Sequence, residues 1–220
     1  MTARDVRKQL TALYRDLSIS PLYTALKLSI LPINEAAAYL PIQGKILDVG
    51  CGYGYLANYL SLERAGRHVV GHDVAPDRIE IARRTVGNRQ NVEFLVADSR
   101  KLPEAAFDGI VVADVLHHIP YEDQQAVLAD LFSKLKPGGR LVLRETDKRF
   151  SLRFFIFNYG LEWVLYSRTE KLRFRSAADW TRILESVGYQ VLHVIPNPPF
   201  FPYITATFIC ARPPVSPASS

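Results

Sequence analysis

Short apolar runs alternate with helix-length amphipathic segments through the middle of the chain. Five runs rich in β-branched residues or leucine, each ending in an acid or a glycine, are KILDVG, HVVGHD, VEFLVAD, GIVVAD and RLVLRE. Helical patterns lie between them at 54–65, 76–86 and 121–136, with a short connection at 100–105. Strands that alternate with helices indicate a parallel sheet, and near-continuous apolar strands indicate burial on both faces. The pattern predicts an α/β fold with a doubly wound, mostly parallel sheet.

The two flanks of this region have different patterns. Residues 1–43 are amphipathic and interrupted by prolines, which predicts an N-terminal helical cap. After the fifth run the alternation stops, and residues 148–175 form an aromatic and basic insertion. A further helix is expected at 176–187, followed by strands at YQVLHVI and YITATFICA. We therefore expect the cap, a sheet domain over 44–212 that contains the insertion, and a flexible tail at 213–220.

Composition fits a single globular domain in a reducing compartment. The chain has 220 residues, of which 48% are hydrophobic and 22% are charged. Charges recur from Arg4 onward where a signal peptide would be apolar, and no run of about 18 uncharged apolar residues occurs. Cys51 and Cys210 are too few for a disulfide framework or a zinc cage. These features favour a cytoplasmic protein without a bound metal.

The net charge of +5 is unevenly placed along the chain. Residues 148–175 hold seven basic and two acidic side chains, so this segment alone carries a net charge equal to that of the whole chain. One interpretation is a solvated face. The other is a patch for an anionic partner, such as a membrane surface, a nucleic acid or an acidic substrate.

The most informative stretch is ILDVGCGYGYLANYL, residues 46–60. The predicted first strand ends at Asp48, and Gly50, Gly52 and Gly54 follow before a helix begins. Glycine lets the backbone turn sharply and lets a ligand approach amide groups at the start of a helix. In open α/β sheets, ligands bind at the carboxyl ends of strands near the point where the strand order reverses. We therefore expect a ligand-binding loop here.

A dinucleotide-binding loop is one alternative for this stretch. Counted from Gly50, the G-x-G-x-x-G pattern needs glycine or alanine at position 55, where this chain has Tyr55. A bulky residue at that position prevents the close helix packing that accommodates a pyrophosphate. The sequence thus disfavours a nicotinamide oxidoreductase and favours a ligand without phosphates.

Acidic residues end the next two predicted strands. Asp73 ends the second strand, 23 residues after Gly50, where a carboxylate accepts hydrogen bonds from both hydroxyls of a ribose. Asp98 ends the third strand within VADS, where a carboxylate accepts from an adenine amino group and the next backbone N–H, that of Ser99, reaches a ring nitrogen. These positions fit a ligand that contains adenosine.

Five motifs in this order, DVGCGYG, HDVAP, VADS, FDGIVVADVLHHIP and LKPGG, resemble the class I S-adenosylmethionine-dependent methyltransferases over residues 44–145. The resemblance implies S-adenosylmethionine as the cofactor and a seven-stranded sheet whose last strand is antiparallel. YITATFICA lies where that strand is expected. The cofactor contacts that the resemblance implies are Asp48, Gly50, Gly52, Gly54, Asp73, Val74, Asp98, Ser99 and Asp114.

Methyl transfer from a sulfonium is an in-line displacement, so the protein mainly aligns the reacting atoms and excludes water. A base is needed only where the acceptor must lose a proton. Candidate bases are His117 and His118 after the fourth strand and Glu145 at the end of the fifth. The alternative is a packing or capping role for the histidines, and a capping or ion-pairing role for Glu145.

The acceptor is expected to be a hydrophobic small molecule or a lipid-like molecule. The insertion has aromatic residues around most of a helix circumference, followed by basic residues. This pattern fits a helix at an anionic membrane surface, the hydrophobic entrance of a pocket, or a lid that completes the core. Candidate substrate contacts are Tyr14, Phe155, Tyr159 and Phe200. An RNA or protein methyltransferase and a non-catalytic cofactor-binding partner are the alternatives. Few basic residues disfavour nucleic acid, and the oligomeric state is open.

Residues 195–203, IPNPPFFPY, contain an Asn-Pro-Pro-Phe tetrad that resembles the signature of amide and amine methyltransferases. Those enzymes carry the tetrad directly after the fourth strand, where this chain has ADVLHHIP. We therefore interpret the tetrad, from Asn197 to Phe200, as a proline-stiffened connection between the last two strands. Its aromatic residues are candidates for a hydrophobic wall of the acceptor pocket.

Overall fold

The computed structural model describes residues 2–17, 19–31, 33–148, 172–198 and 204–214. Within these residues the helices are α1 (Ala3–Leu13), α2 (Pro21–Ile30), α3 (Ile33–Tyr39), α4 (Tyr55–Glu63), α5 (Pro76–Arg84), α6 (Tyr121–Lys134) and α7 (Ala177–Val187). The strands are β1 (Gly44–Val49), β2 (Arg67–Asp73), β3 (Val92–Val96), β4 (Phe107–Ala113), β5 (Leu135–Thr146), β6 (Gln190–Pro196) and β7 (Thr205–Ala211). One-turn 3₁₀ helices lie at Ser99–Lys101 and Leu116–His118.

The strands form one sheet in the order β3-β2-β1-β4-β5-β7-β6. Neighbours from β3 to β5 pair in parallel, whereas β7 runs antiparallel to both β5 and β6. The predicted seven-stranded sheet with an antiparallel last strand is therefore confirmed. The strand order reverses at β1 and β4, so the loops at their carboxyl ends flank the crevice where ligands bind in such sheets.

The LKPGG motif lies within β5, although the sequence predicted it as the end of a helix. Leu135 pairs with Phe107 of β4, and a bulge separates this pair from Gly109 and Arg140. Gly138 and Gly139 exchange backbone hydrogen bonds of 2.8 and 3.0 Å with Arg212 beyond β7. Pairing with both neighbours thus extends the strand through a segment whose Pro-Gly-Gly composition favours a turn.

Two apolar layers enclose the sheet, because successive side chains of a strand point to opposite faces. Ile46 and Val69 pack on the face covered by α1, α3, α4 and α5. Leu47 and Val70, the next residues along each strand, pack on the face covered by α6 and α7. The near-continuous apolar strands of the sequence therefore correspond to burial on both faces.

A fully buried arginine joins the N-terminal helices to the sheet. The guanidinium of Arg67 donates to the backbone carbonyls of Ala37, Leu40 and Pro41, at 2.7 to 3.3 Å, and to the carboxylate of Glu63 at 2.6 Å. It thereby satisfies carbonyls at the C-terminal end of α3 that have no partner within the helix. The N-terminal cap is bonded to the domain rather than appended to it.

No helix in the described part of the chain is long and apolar enough to cross a membrane. Most of the predicted insertion, with Phe155 and Tyr159, falls outside the described residues, as do Phe200 and the end of the predicted tail. The membrane-surface, pocket-mouth and lid interpretations of the insertion stay predictions.

Candidate functional site

A cleft of about 640 Å³ opens at the carboxyl ends of β1, β2 and β4. The glycine loop after β1 forms one side, and the turns after β2, β3 and β4 contribute further walls. One face of α2 in the cap also lines the cleft. The site therefore lies at the reversal of the strand order, where the sequence predicted a ligand.

The three predicted glycines of the loop are each in the left-handed region, with φ of 65° at Gly50, 54° at Gly52 and 81° at Gly54. A Cβ at Gly50 or Gly54 would lie 2.6 Å from the side chain of Val115 or Phe94, so these glycines are required by packing as well as by backbone geometry. A Cβ at Gly52 would meet nothing within 4 Å. Gly52 therefore leaves its backbone open to a ligand in the cleft.

The carboxylate of Asp73 fixes the loop from the end of β2. It accepts hydrogen bonds from the backbone N–H of Gly52 and from that of Ala75, each at 2.9 Å. It also lines the cleft, next to the exposed side chain of Val74. A carboxylate held by two backbone donors keeps lone pairs for ribose hydroxyls, and Val74 offers an apolar surface to a base.

Asp48 lies at the floor of the cleft, where its carboxylate accepts the backbone N–H of Ala57 in the first turn of α4 at 3.0 Å. Burial raises the pKa of Asp48 to about 7, the hydrogen bond from Ala57 opposes this, and the nearby charge of Asp73 adds to it. Asp48 thus anchors the helix that follows the loop, besides facing the ligand site.

Asp98 and Ser99 line the far end of the cleft, after β3. Asp98 accepts the backbone N–H of Arg100 at 3.0 Å and pairs with its guanidinium. These hydrogen bonds hold the pKa of Asp98 well below its usual range. The Ser99 hydroxyl donates to Asp130 of α6 at 2.7 Å. The predicted adenine-binding pair is therefore at the cleft, and Arg100 is an additional partner of Asp98.

Asp114 follows β4 with a φ of 58°, a left-handed conformation that is uncommon outside glycine. Its carboxylate forms an ion pair with Arg144 at 2.8 Å, and its backbone N–H donates to the Arg144 carbonyl at 3.0 Å. Burial raises the pKa of Asp114, and the charge of Arg144 opposes this. The residue lines the cleft in a strained conformation that β5 holds in place.

The three candidate bases lie in two places. The ring of His117 and the carboxylate of Glu145 form a buried pair, with 2.7 Å between Nδ1 and Oε2. Glu145 also accepts the backbone N–H groups of Val115 and Leu116, at 2.9 and 2.6 Å. His118 is half-buried and lines the cleft. Catalysis by any of the three stays a prediction, and the geometry of the first two fits support of the turn after β4.

Tyr14 is buried between α1 and the glycine loop. Its hydroxyl donates to the carbonyl of Tyr53 at 2.9 Å, and its ring centroid lies 4.1 Å from that of Tyr55. Tyr14, predicted to bind the substrate, thus contacts the glycine loop. The other three predicted substrate contacts, Phe155, Tyr159 and Phe200, fall outside the described residues. Substrate binding by all four stays a prediction.

The Asn-Pro-Pro-Phe tetrad begins in the connection from β6 to β7, as interpreted from the sequence. Pro196 pairs with Ala206, and the backbone N–H of Asn197 donates to the Thr205 carbonyl at 3.0 Å. Because β6 runs parallel to β1, this connection is at the same end of the sheet as the cleft.

Sequence reasoning missed the contribution of α2 to the site. Tyr23, Lys27 and Leu31 all line the cleft. Their spacing of four residues places them on one face of a helix, which is the signal that was available. Tyr53 and Tyr55, between and after the loop glycines, also line the cleft. The described residues contain no group of three or more metal-binding side chains.

The arrangement fits S-adenosylmethionine. Gly52 offers an open backbone, Asp73 a carboxylate for a ribose, and Asp98 with Ser99 polar groups for an adenine. The charge of a sulfonium is compatible with the acidic floor formed by Asp48. No phosphate-binding group is needed for this cofactor, in agreement with the bulky Tyr55 after the loop.

Residues 25–194 match the family model described as "Methyltransferase domain". A ubiquinone biosynthesis O-methyltransferase of Xylella fastidiosa is 36% identical over 135 residues, which cover 57% of this chain and 51% of that protein. A demethylmenaquinone methyltransferase of Thermus thermophilus is 40% identical over 104 residues, or 46% of each chain. The chain thus spans about half the length of these curated relatives.

Among solved structures, magnesium protoporphyrin IX methyltransferase of Synechocystis PCC 6803, with bound S-adenosylhomocysteine, has the same fold. Its TM-score is 0.68 at 21% identity, with 93% of each chain covered. Because the family match includes the glycine loop and the acids of the cleft, the predicted cofactor, S-adenosylmethionine, is also confirmed. The chain belongs to the methyltransferase domain family and has the class I S-adenosylmethionine-dependent methyltransferase fold.

Proposed function

We propose that the protein transfers the methyl group of S-adenosylmethionine to a small-molecule acceptor that is largely apolar and carries an aromatic ring. Gly52 and Asp73 support the cofactor part of this proposal, and the observation that carries the acceptor part is the face of α2 that lines the same cleft. The cofactor supplies a methyl group activated by the adjacent sulfonium. The residues of the chain bind, orient and shield the reacting molecules.

The acceptor end of the cleft is assigned to the face of α2. The ring of Tyr23 lies edge-on to that of Tyr53, with centroids 5.9 Å apart, and Leu31 adds an apolar side chain. The Lys27 ammonium lies 6.0 Å from the Tyr23 ring centroid. Aromatic walls beside one cation fit an aromatic acceptor with an anionic or ionisable oxygen. Two relatives are named as a ubiquinone biosynthesis O-methyltransferase and a demethylmenaquinone methyltransferase, which supports a small-molecule acceptor.

His118 is the candidate group for accepting a proton from such an acceptor. It lines the cleft beside the turn after β4, and its backbone carbonyl accepts a hydrogen bond from the Arg173 guanidinium at 3.2 Å. Lys27 would lower the pKa of an acceptor hydroxyl by its charge, which reduces the work required of a base. The proposed roles are therefore acceptor orientation for Tyr23 and Lys27 and proton transfer for His118.

Isothermal titration of the full chain with S-adenosylhomocysteine, and with NADH as a control, tests the cofactor. We expect S-adenosylhomocysteine alone to bind. Labelled methyl transfer into the lipid, small-molecule, RNA and protein fractions of a cell extract tests the acceptor class. Label in the lipid or small-molecule fraction supports the proposal, whereas label confined to RNA or protein contradicts it.

Lys27→Met tests the acceptor end once an acceptor is found, with Lys8→Met as the matched control. Lys8 is an exposed lysine of α1, so the control removes the same charge from the surface of the cap. We expect Lys27→Met to raise KM for the acceptor about tenfold, because one charged contact is lost. Lys8→Met should leave this KM unchanged. Equal effects of the two variants would remove the assignment.

A further inference from the structure

A chain of hydrogen bonds with a fixed direction runs from the segment after α5 to the glycine loop. The Arg89 guanidinium donates to Asn58 Oδ1 at 2.5 Å, Asn58 Nδ2 donates to the Tyr14 hydroxyl at 2.7 Å, and Tyr14 donates to the Tyr53 carbonyl at 2.9 Å. A guanidinium has only donors, so the amide oxygen of Asn58 must face it. The NH₂ group of Asn58 then faces Tyr14, whose own proton is left for Tyr53. The guanidinium of Arg89 therefore sets the direction of all three hydrogen bonds.

The middle of this chain is buried. Asn58 and Tyr14 are at most 2% exposed, and Asn58 Nδ2 also donates to the Thr85 hydroxyl at 2.8 Å. Burial strengthens each of these bonds, and consecutive bonds polarise one another. Loss of the Tyr14 hydroxyl would leave the Asn58 amide and the Tyr53 carbonyl without this partner, which makes the position sensitive to a change of one atom.

This series of hydrogen bonds ends at the part of the glycine loop that needs external support. Gly52 and Gly54 flank Tyr53, and glycine populates many backbone conformations unless its neighbours restrict it. The cap holds Tyr53 of the loop and Tyr55 at the start of α4. Tyr14 at the end of α1 bonds the carbonyl of Tyr53, and Thr24 of α2 shares a hydrogen bond of 2.8 Å with the hydroxyl of Tyr55.

We propose that Tyr14 is a positioning residue for the cofactor, acting through the Tyr53 carbonyl, and that α1 thereby belongs to the cofactor-binding apparatus. Tyr14 precedes residues 25–194, which the family model matches, so the family match itself does not assign it this role. Without the bond, the loop leaves the conformation in which Gly52 faces the cleft, and the cofactor then binds only the competent fraction. The inference rests on the proposed function for its ligand, but the state of the loop is measurable without one.

Tyr14→Phe removes the hydroxyl and keeps the ring, and Tyr189→Phe is its matched control. The Tyr189 hydroxyl is also buried and also donates to a backbone carbonyl, that of Leu128 at 3.3 Å, but it packs on the α6 and α7 face of the sheet. Each variant is titrated with S-adenosylhomocysteine, and its unfolding midpoint is measured. Hydrogen exchange of the Gly52 and Gly54 amides is followed in the protein without ligand.

We expect Tyr14→Phe to weaken binding of S-adenosylhomocysteine about five- to tenfold, the equivalent of one hydrogen bond, and to accelerate exchange at both amides by a similar factor. Tyr189→Phe should lower the unfolding midpoint comparably and change neither affinity nor exchange. An affinity within twofold of the unmodified chain for Tyr14→Phe, or equal losses in both variants, would overturn the proposal.

Two further outcomes are also decisive. If the unmodified chain does not bind S-adenosylhomocysteine, the proposed function fails, and amide exchange alone decides the role of Tyr14. If Tyr14→Phe does not fold, Arg89→Met, which removes the first donor at a half-buried position, replaces it. Faster exchange at Gly52 and Gly54 in that variant supports the proposal, and unchanged exchange overturns it.

Discussion

The carboxylate of Glu145 joins three groups of the turn after β4. It lies 2.7 Å from His117 Nδ1, and it accepts the backbone N–H groups of Val115 and Leu116. Because Val115 packs against Gly50 of the cofactor loop, this turn sets one wall of the cleft. The pair explains how a buried carboxylate at the end of β5 supports the site without facing it.

Replacement of Glu145 by Ala should therefore act mainly on stability. It would leave the backbone N–H groups of Val115 and Leu116 and the buried ring of His117 without this acceptor, at a cost of about 3–5 kcal/mol in the free energy of unfolding. Glu145→Gln keeps one acceptor oxygen and should lose less. Urea unfolding measures both, with the exposed Glu185→Ala as the control. A stable Glu145→Ala variant that has lost turnover would instead place Glu145 in the chemistry.

The loop glycines should separate binding from stability. Gly52→Ala places a Cβ in the open cleft, so it should weaken S-adenosylhomocysteine binding about tenfold or more while costing about 1 kcal/mol of left-handed strain. Gly54→Ala would bring a Cβ to 2.6 Å from Phe94 and should cost about 2–4 kcal/mol of stability. Titration calorimetry and urea unfolding measure the two effects.

Gly87→Ala is the matched control for Gly52→Ala. Gly87 has a φ of 57°, and a Cβ there would also meet nothing within 4 Å. It lies between α5 and β3, and the same backbone strain should therefore lower stability equally and leave binding intact. Equal affinity of the Gly52 and Gly87 variants would contradict the assignment of Gly52 to the cofactor.

Asp48 should make stability depend on pH between about 4 and 7. Its pKa is raised from 3.8 to about 7 in the folded protein, chiefly by burial. Because the folded protein binds this proton more tightly than the unfolded chain does, protonated Asp48 stabilises the fold. This stabilisation is fully present below the pKa of the unfolded state and is lost as pH rises through the pKa of the folded state. Asp48→Asn removes this titration. The free energy of unfolding of the variant, relative to that of the unmodified chain, should therefore rise by roughly 4 kcal/mol from pH 4 to pH 8, at about 1.4 kcal/mol per pKa unit.

Urea unfolding of the two proteins at several pH values measures this difference. If the unmodified chain instead becomes more stable relative to Asp48→Asn as pH rises, the fold stabilises Asp48 as a carboxylate. Curves that stay parallel would mean that it does not titrate in this range.

Asn197→Ala should leave turnover within about twofold, because Asn197 follows β6 rather than β4, and alanine keeps the backbone N–H that donates to Thr205. Phe200→Ala is expected to weaken acceptor binding if the aromatic residues of this connection line the pocket. Steady-state kinetics with a known acceptor compare the two. A collapse of activity in Asn197→Ala, with folding and cofactor binding preserved, would restore the amine-methyltransferase interpretation of the tetrad.

The sequence alone determined the fold and the cofactor end of the site. Strand periodicity, the glycine spacing and the acids that end β2 and β3 are local features, and the carboxyl ends of parallel strands meet at one edge of a sheet. Gly52, Asp73 and Asp98 were therefore predictable as neighbours. LKPGG was not predicted as part of a strand, because its pairing with β4 and its contacts with Arg212 beyond β7 are not local.

Only the tertiary structure decided which side chains face the cleft. His117 and His118 are adjacent in sequence, yet one is buried against Glu145 and the other lines the cleft. Tyr14 was predicted as a contact of the acceptor, which stays a prediction, and the packing of α1 on α4 places its hydroxyl on the carbonyl of Tyr53 in the glycine loop. Side-chain direction depends on how helices pack on the sheet, through contacts between residues distant in sequence, which local patterns do not encode.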